Sequence, residues 1–190
     1  GRHNLRLIRD SQDRGVSKAA PILFLEPSCY SMFAEDYREL RLEGAEEVAE
    51  RCVLFEQYLE SWLARELDAI RFDPLASSKR VAIHAHCHAK ALADPGCMVR
   101  LVQRMPMTEA ALLDTGCCGM AGAFGMVESK VALSKQVAAP LIEKIQRQPP
   151  GTLIVATGTS CRQQIQHLAG VQPLHIAEAL ALGLPRESTD

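Results

Sequence analysis

No stretch of this 190-residue chain approaches the roughly 20 consecutive apolar residues that a bilayer-spanning helix requires, so no transmembrane segment is expected. Nor does charge of one sign prevail: 21 Lys and Arg face 23 Asp and Glu, a formal net charge of -2. Aromatic residues make up only 5% of the chain and no basic stripe interleaves with them, which argues against a nucleic-acid surface. There is no Walker A loop, no Gly-x-Ser-x-Gly elbow and no His-Glu-x-x-His, and the spacing of Gly119, Gly122 and Gly125 departs from the dinucleotide fingerprint. The common hydrolytic and nucleotide-binding constellations are thereby excluded. The opening residues Gly1-Arg2-His3-Asn4 show neither an initiator Met nor a signal-peptide pattern. Residues 1–20 mix charge with Ser and Gly without a clear period and are expected to be irregular, the leading remnant of a longer soluble protein.

What the chain does have is cysteine, seven in all, two of them adjacent. In a chain without loop-rich, disulfide-type features this points away from a secreted disulfide framework. It points towards metal or redox chemistry in a reducing compartment.

The apolar pattern predicts an α/β fold: a parallel sheet with flanking helices, built from Rossmann-like βαβ units. Short continuous apolar runs at Ile22–Leu25, Arg80–Ile83, Ala110–Leu113 and Leu153–Ala156 read as buried parallel strands, with a last one near Pro173–Ile176. Phe55, Tyr58, Leu59, Trp62, Leu63, Leu67 and Ile70 recur at helical spacing, giving an amphipathic helix of about four turns. Further helices are expected over Gly96–Met105 and Val127–Gln146, the latter with a kink at Pro140. Chemistry-bearing residues follow the strands: His84-Ala85-His86-Cys87-His88, then Gly116-Cys117-Cys118-Gly119, then Thr157-Gly158-Thr159-Ser160-Cys161. Ligands collect outside the carboxyl ends of parallel strands, so these loops should meet there. The run Ile22 to Cys29 matches Leu153 to Cys161 in order, strand, short turn, Ser-Cys, helix, which suggests an internal duplication with a truncated first copy.

Consecutive side chains normally point in different directions, so Cys117 and Cys118 need a special backbone to serve one object. The flanking glycines supply it, and at Gly119 they let main-chain N–H groups approach a thiolate or cluster sulfide. A vicinal redox disulfide is the rival reading. In the His-rich loop Cys87 is the ligand candidate, while His84 and His88 suit a supporting role, with Lys90 adding positive charge. Cys161 is expected to open a helix, where the dipole favours a thiolate. Gln164, one turn on, either donates to the same object or is an ordinary exposed amide. Cys52 and Cys97 fall in helical phase with apolar neighbours and read as packing residues.

Together, the strand-His-x-x-Cys-His loop, the Gly-Cys-Cys-Gly loop and the small-residue turn ending in Cys resemble the cysteine-rich CCG domain family. That domain occurs in heterodisulfide reductase, in the iron–sulfur subunit of glycolate oxidase, and in the small subunit of anaerobic glycerol-3-phosphate dehydrogenase. It also occurs in lactate-utilisation proteins and in fused FAD-linked flavoproteins of the D-lactate and D-2-hydroxyglutarate dehydrogenase kind. The segments Glu26-Pro27-Ser28-Cys29 and Gly158-Thr159-Ser160-Cys161-Arg162-Gln163-Gln164 look most like the fused group, and the resemblance covers Pro21 to Leu184. It implies that residues 71–190 form a complete second CCG half and residues 21–70 the end of a first half with connecting helices, Cys29 being the last cysteine of that half. It further implies that Cys87, Cys117, Cys118 and Cys161 ligate metal, and that Gln164 stands where some members carry a fifth cysteine. A four-thiolate [4Fe-4S] cluster is the resulting expectation.

The function expected on this basis is electron transfer within a flavin-linked D-2-hydroxy-acid dehydrogenase, from FAD bound outside this chain to a quinone or other acceptor. Partners would be FAD-binding and ferredoxin-like domains, in a cytoplasmic protein or one peripheral to the inner membrane face. Two other readings stand beside it: a zinc-stabilised structural or docking module, and a thiol–disulfide enzyme using Cys117 and Cys118.

Overall fold

A computed structural model describes residues 1–12, 15–76 and 79–185. The chain is an α/β protein with two parallel sheets flanked by helices. In chain order the regular elements are α1 (Arg2–Gln12), β1 (Ile22–Phe24), α2 (Pro27–Ser31), α3 (Tyr37–Glu39), α4 (Ala45–Ala49), β2 (Cys52–Leu54), α5 (Phe55–Arg65), β3 (Arg80–His84) and α6 (Cys87–Leu92). There follow α7 (Gly96–Val102), β4 (Glu109–Leu112), α8 (Val131–Gln146), β5 (Leu153–Ala156), α9 (Thr159–Ala169) and α10 (Ile176–Ala181). A π-helical turn, Met32–Asp36, joins α2 to α3.

The larger sheet has the order β4-β3-β5, all parallel, with His84 opposite Ala156 at the carboxyl end. Side chains alternate across it as the pleat demands. Val81, Ile83 and Val155 face a core built with Leu59 and Leu63 of α5, Met98 and Leu101 of α7, and Ile176 and Leu180 of α10. Ala82, Ile154 and Ala156 face the opposite core, with Leu141 and Ile145 of α8 and Ile165 of α9. Each fully buried side chain of this size contributes about 1.5–3 kcal/mol. The helices after β3 and β5 thus cover opposite faces of neighbouring strands. Such a switch point opens a crevice at the strand ends.

The smaller sheet, β1 with β2, lies beside a separate core of Leu5, Tyr37, Ala45 and Val48. Here the structure corrects the sequence reading of residues 1–20. The opening segment begins with the helix α1, because Leu5 and Ile8, three apart on one face, pack onto the α3–α4 region.

Other expectations are adjusted in their limits. Cys52 lies in β2 rather than on the helical stripe: Cys52–Leu54 pair with Ile22–Phe24, and the helix starts only at Phe55. That helix ends at Arg65, leaving Leu67 exposed, since Glu66 departs from helical angles. Val127 to Lys130 form a tight 3-10 turn before α8, and Pro140 is carried inside α8. The strand expected near Pro173–Ile176 reduces to a single bridge, Leu174 to Val155. His175 ends it by capping α10 in a reciprocal capping box with Glu178.

Candidate functional site

Three loops at the carboxyl ends of β3, β4 and β5 bring together Cys87, Cys117, Cys118 and Cys161. Cys87 opens α6, where His86 caps the helix by accepting the His88 N–H on Nδ1 at 3.2 Å. Cys161 lies in the first turn of α9, buried near the helix N-terminus. The vicinal pair sits between them. Its backbone turns sharply at Gly119, which has φ +83° and lies so close to the Ser134 carbonyl of α8 that a Cβ would collide with it. No other residue fits that combination of angle and contact.

The four thiols lie close enough to act on one another: Cys87 on Cys117 and Cys118, and Cys161 on Cys118, Cys87 and Cys117, with Cys118 and Cys161 in direct contact. Backbone N–H groups point at the sulfurs: that of Gly119 donates to Cys117 Sγ at 3.3 Å, and that of Met120 donates to Cys118. The Cys161 thiol donates to Cys118, and with the Met120 N–H this outweighs burial and lowers Cys118 to about 6. The same bond, burial and the neighbouring sulfurs push Cys161 up. The two thiols therefore titrate as a pair. Burial, then the adjacent Cys117, raises Cys87. Among the described residues, no three His, Cys, Asp or Glu side chains gather round one point as ligands of a single metal ion.

Two lysines grip the loop that precedes the pair. Lys90 Nζ donates to the carbonyls of Thr115 and Gly116 at 2.6 and 3.0 Å. Lys144 of α8 donates to the carbonyl of Asp114 and lies 3.7 Å from its carboxylate. These contacts fix a glycine-containing loop and place positive charge beside the thiols.

Glu26, just after β1, links the Cys161 loop to the Cys87 loop. Its Oε2 accepts the Thr159 N–H that begins α9 at 2.7 Å, and its Oε1 accepts from Ser28. Ser28 Oγ in turn lies 3.4 Å from His86 Nε2, and Ser31 Oγ 2.7 Å from His88 Nδ1. Burial works against the Glu26 charge, but the Thr159 and Ser28 bonds and the His86 ring outweigh it and hold the carboxyl below its ordinary value. Gly158 is required here too, since a Cβ would run into the His86 ring.

The remaining sequence candidates fall as follows. His84 is fully buried: its Nδ1 meets Thr115 Oγ1 at 3.0 Å, its Nε2 has no partner among the described residues, and burial lowers it to about 4. It braces the loop before the Cys pair. Gln164 is buried, but its amide N–H is committed to Ser134 Oγ at 2.9 Å rather than to a thiol. Cys29 is exposed on α2, beside the serines that bond His86 and His88. Cys52 donates to the Val48 carbonyl and burial raises it to about 11; Cys97 is buried in the core and raised to about 12. Sequence reasoning passed over Glu26, Ser28, Ser31 and His86 as contributors. Their only signal was polar residues placed directly after an apolar run.

No protein-family model matches the chain. The chain is distantly similar to dehydrogenase proteins. It is 26% identical over 183 residues to a subunit of the anaerobic glycerol-3-phosphate dehydrogenase of Escherichia coli K12, covering 94% of this chain and 44% of that protein. The O157:H7 counterpart aligns equally. It is also 26% identical over 175 residues to the D-2-hydroxyglutarate dehydrogenase of Escherichia coli K12, covering 90% of this chain and 16% of that one. The chain therefore spans less than half the length of the curated relatives it matches. Among the described residues no helix is long and apolar enough to cross a membrane.

Proposed function

We propose that this chain is the iron–sulfur electron-transfer part of a flavin-linked 2-hydroxy-acid dehydrogenase, with Cys87, Cys117, Cys118 and Cys161 as thiolate ligands of a [4Fe-4S] cluster. The observation that carries this reading is the gathering of four thiols from three strand-end loops, with main-chain N–H groups directed at two of the sulfurs. The donor set fits the group. A cluster takes one thiolate per iron and is tuned by N–H to sulfur bonds and nearby charge. Four thiols that among the described residues do not converge on one point suit it better than they suit one zinc ion, which draws four ligands to about 2–2.3 Å of a single point. When bound, the cluster supplies one-electron transfer. The protein's own residues hold the thiolates, orient their loops through Lys90, Lys144 and Glu26, and direct main-chain N–H groups at Cys117 and Cys118.

The likeness to two dehydrogenases supports the same reading, with FAD and the hydroxy-acid site lying outside this chain and a quinone or other carrier as acceptor. The segment β1–Cys29–α2 has the plan of β5–Cys161–α9, which supports residues 21–70 as the end of a first CCG half. Cys29 is then a ligand belonging to that half.

Anaerobic reconstitution with iron and sulfide tests the proposal. Wild type should gain broad absorption near 400 nm and iron in a cluster ratio, and Cys118→Ser should lose both. A colourless protein holding stoichiometric zinc would overturn it. The depressed Cys118 thiol supports a second reading, thiol–disulfide exchange, which predicts turnover of a disulfide substrate by metal-free protein.

A further inference from the structure

The larger sheet has two outer strands, and their outer sides differ. That of β5 is taken by Leu174, which accepts from the Ala156 N–H at 2.9 Å and donates to the Ile154 carbonyl at 3.0 Å. Beyond β4, among the described residues, there is neither a strand nor a bridge. In a parallel ladder the N–H and C=O of one residue point to the same neighbour, and those of the next residue point the other way. The Glu109 N–H donates to the Lys79 carbonyl and the Leu113 N–H to that of Ile83, so the odd-numbered residues of β4 serve β3. Ala110 and Leu112 therefore present their N–H and C=O groups outwards, as a template for another strand.

Nothing in β4 guards this edge. The strand Glu109–Leu112 contains neither Pro nor Lys, and its register with β3 runs without a bulge from Arg80–Glu109 to Ile83–Leu112. Ala111 is exposed, and so is Leu112 at 37%. The edge is also complementary to itself. Two antiparallel copies of β4 about a two-fold axis at Ala111 bring Ala110 opposite Leu112 of the second copy, and Leu112 opposite Ala110. All four residues face outwards, so each pair exchanges two hydrogen bonds. Ala110 packs on the α7 face, and the pleat puts Leu112 there too, so each leucine covers a small alanine. At the axis Ala111 meets Ala111 in the narrow, non-hydrogen-bonded position, which suits small side chains. Charge matches at the ends: Glu109 stands with Arg80 at one end of the edge, Asp114 with Lys144 at the other. Antiparallel pairing lays the first couple of one copy against the second couple of the other, with both signs on each side of the seam.

We propose that β4 is a dimer edge, at which two copies of this chain pair through Ala110–Leu112 and join their three-stranded sheets into one of six strands. The contact is isologous and uses the open edge of both copies, so the assembly closes at two. The thiol sites then lie at opposite ends of the joined sheet. The inference rests on the edge alone and holds whether or not the thiols carry a cluster.

Sedimentation equilibrium of the purified chain tests it, under reductant to keep the exposed Cys29 from cross-linking copies. Wild type should sediment at twice the mass of the chain. Ala111→Lys and Ala111→Glu each set two like charges face to face at the axis and should raise the dissociation constant about tenfold or more. An equimolar mixture of the two variants, in which Lys meets Glu, should recover the dimer. Residue-resolved hydrogen exchange of wild type needs no variant: the Ala110 and Leu112 amides should be protected in the dimer and exchange freely on dilution. A wild-type monomer at about 100 µM would overturn the proposal and leave the edge to a strand of a different chain. So would a dimer unchanged by both variants, unprotected Ala110 and Leu112 amides, or growth into larger oligomers.

Discussion

Glu56 is 1% exposed in the first turn of α5, and neither carboxylate oxygen has a well-formed hydrogen bond. Its own backbone N–H offers only a weak contact, so burial dominates and raises the group from 4.5 to about 7. The carboxylate also acts on Cys97 of α7, whose thiol is pushed up by burial and then by this neighbour. Below pH 4.5 the group is protonated in both folded and unfolded chains and has no effect on stability. As pH rises from 4.5 to 7 the unfolded chain releases the proton and the folded chain keeps it, so stability falls; above 7 the loss is complete. At about 1.4 kcal/mol per pKa unit, the interval from 4.5 to about 7 amounts to roughly 3 kcal/mol. That is a large part of the 5–15 kcal/mol typical of a folded domain. Glu56→Gln is neutral at every pH and removes this dependence while keeping the shape. The assay is urea unfolding of both proteins at pH 4.5 and pH 8, under reductant, followed by far-UV circular dichroism. The variant's stability relative to wild type should rise by about 3 kcal/mol between the two pH values, because all other titrating groups cancel in that double difference. A change below about 1 kcal/mol would refute the reasoning. It would mean that the carboxylate finds water or a partner when charged.

Replacing Cys52 or Cys97 with Ala should leave iron content after reconstitution unchanged and lower stability by about 1 kcal/mol each, read by iron analysis and denaturant unfolding. Lys90→Met keeps the stem but removes the charge and its bonds to Thr115 and Gly116. The reconstituted protein should show a midpoint potential lower by roughly 50 mV, equivalent to about 1 kcal/mol for one electron, because the added electron loses a nearby cation. An unchanged potential in a redox titration would reduce Lys90 to a loop tether.

The larger sheet was legible because each of its strands carries a short apolar run, even the largely exposed β4, and each ends at an unmistakable loop. Once Ile83, Leu112 and Ala156 are placed at one end of a β4-β3-β5 sheet, the cysteine loops must adjoin. Of the smaller sheet β1 was legible as the apolar run from Ile22, but β2 and the pairing were not, since β2 is three residues long and Ile22 pairs with Cys52 thirty positions away. A three-residue strand has no period to detect, and Cys52 could be fitted equally to the stripe of the helix that follows. The reverse error occurred in α1, where charged residues masked a short apolar face that gains its meaning only from Tyr37 and Val48. Gln164 was placed correctly on the Cys161 face of α9 by helical spacing. Its bond to Ser134 depends on how α8 lies across α9, which spacing cannot supply.

The contact least visible in sequence also says most about how the site is held. Glu26 and Thr159 are 133 positions apart, yet their bond ties the start of the Cys161 helix to the end of β1. Through Ser28 the same carboxylate reaches His86, and Ser31 reaches His88, on either side of Cys87. Two of the three cysteine loops are thus braced from the segment Glu26–Ser31, while the third is braced by Lys90 and Lys144. Without that segment the Thr159 N–H, His86 Nε2 and His88 Nδ1 would each lose their partner, and the Cys87 and Cys161 loops would lose their common brace. Thr159 and His88 are exposed and would turn to water, but His86 is buried, where a polar group left unpaired costs about 1–3 kcal/mol. The small β1–β2 unit is therefore part of the thiol site rather than an appendage to it, and the chemistry assigned to β3 through α9 depends on residues that precede them by more than fifty positions.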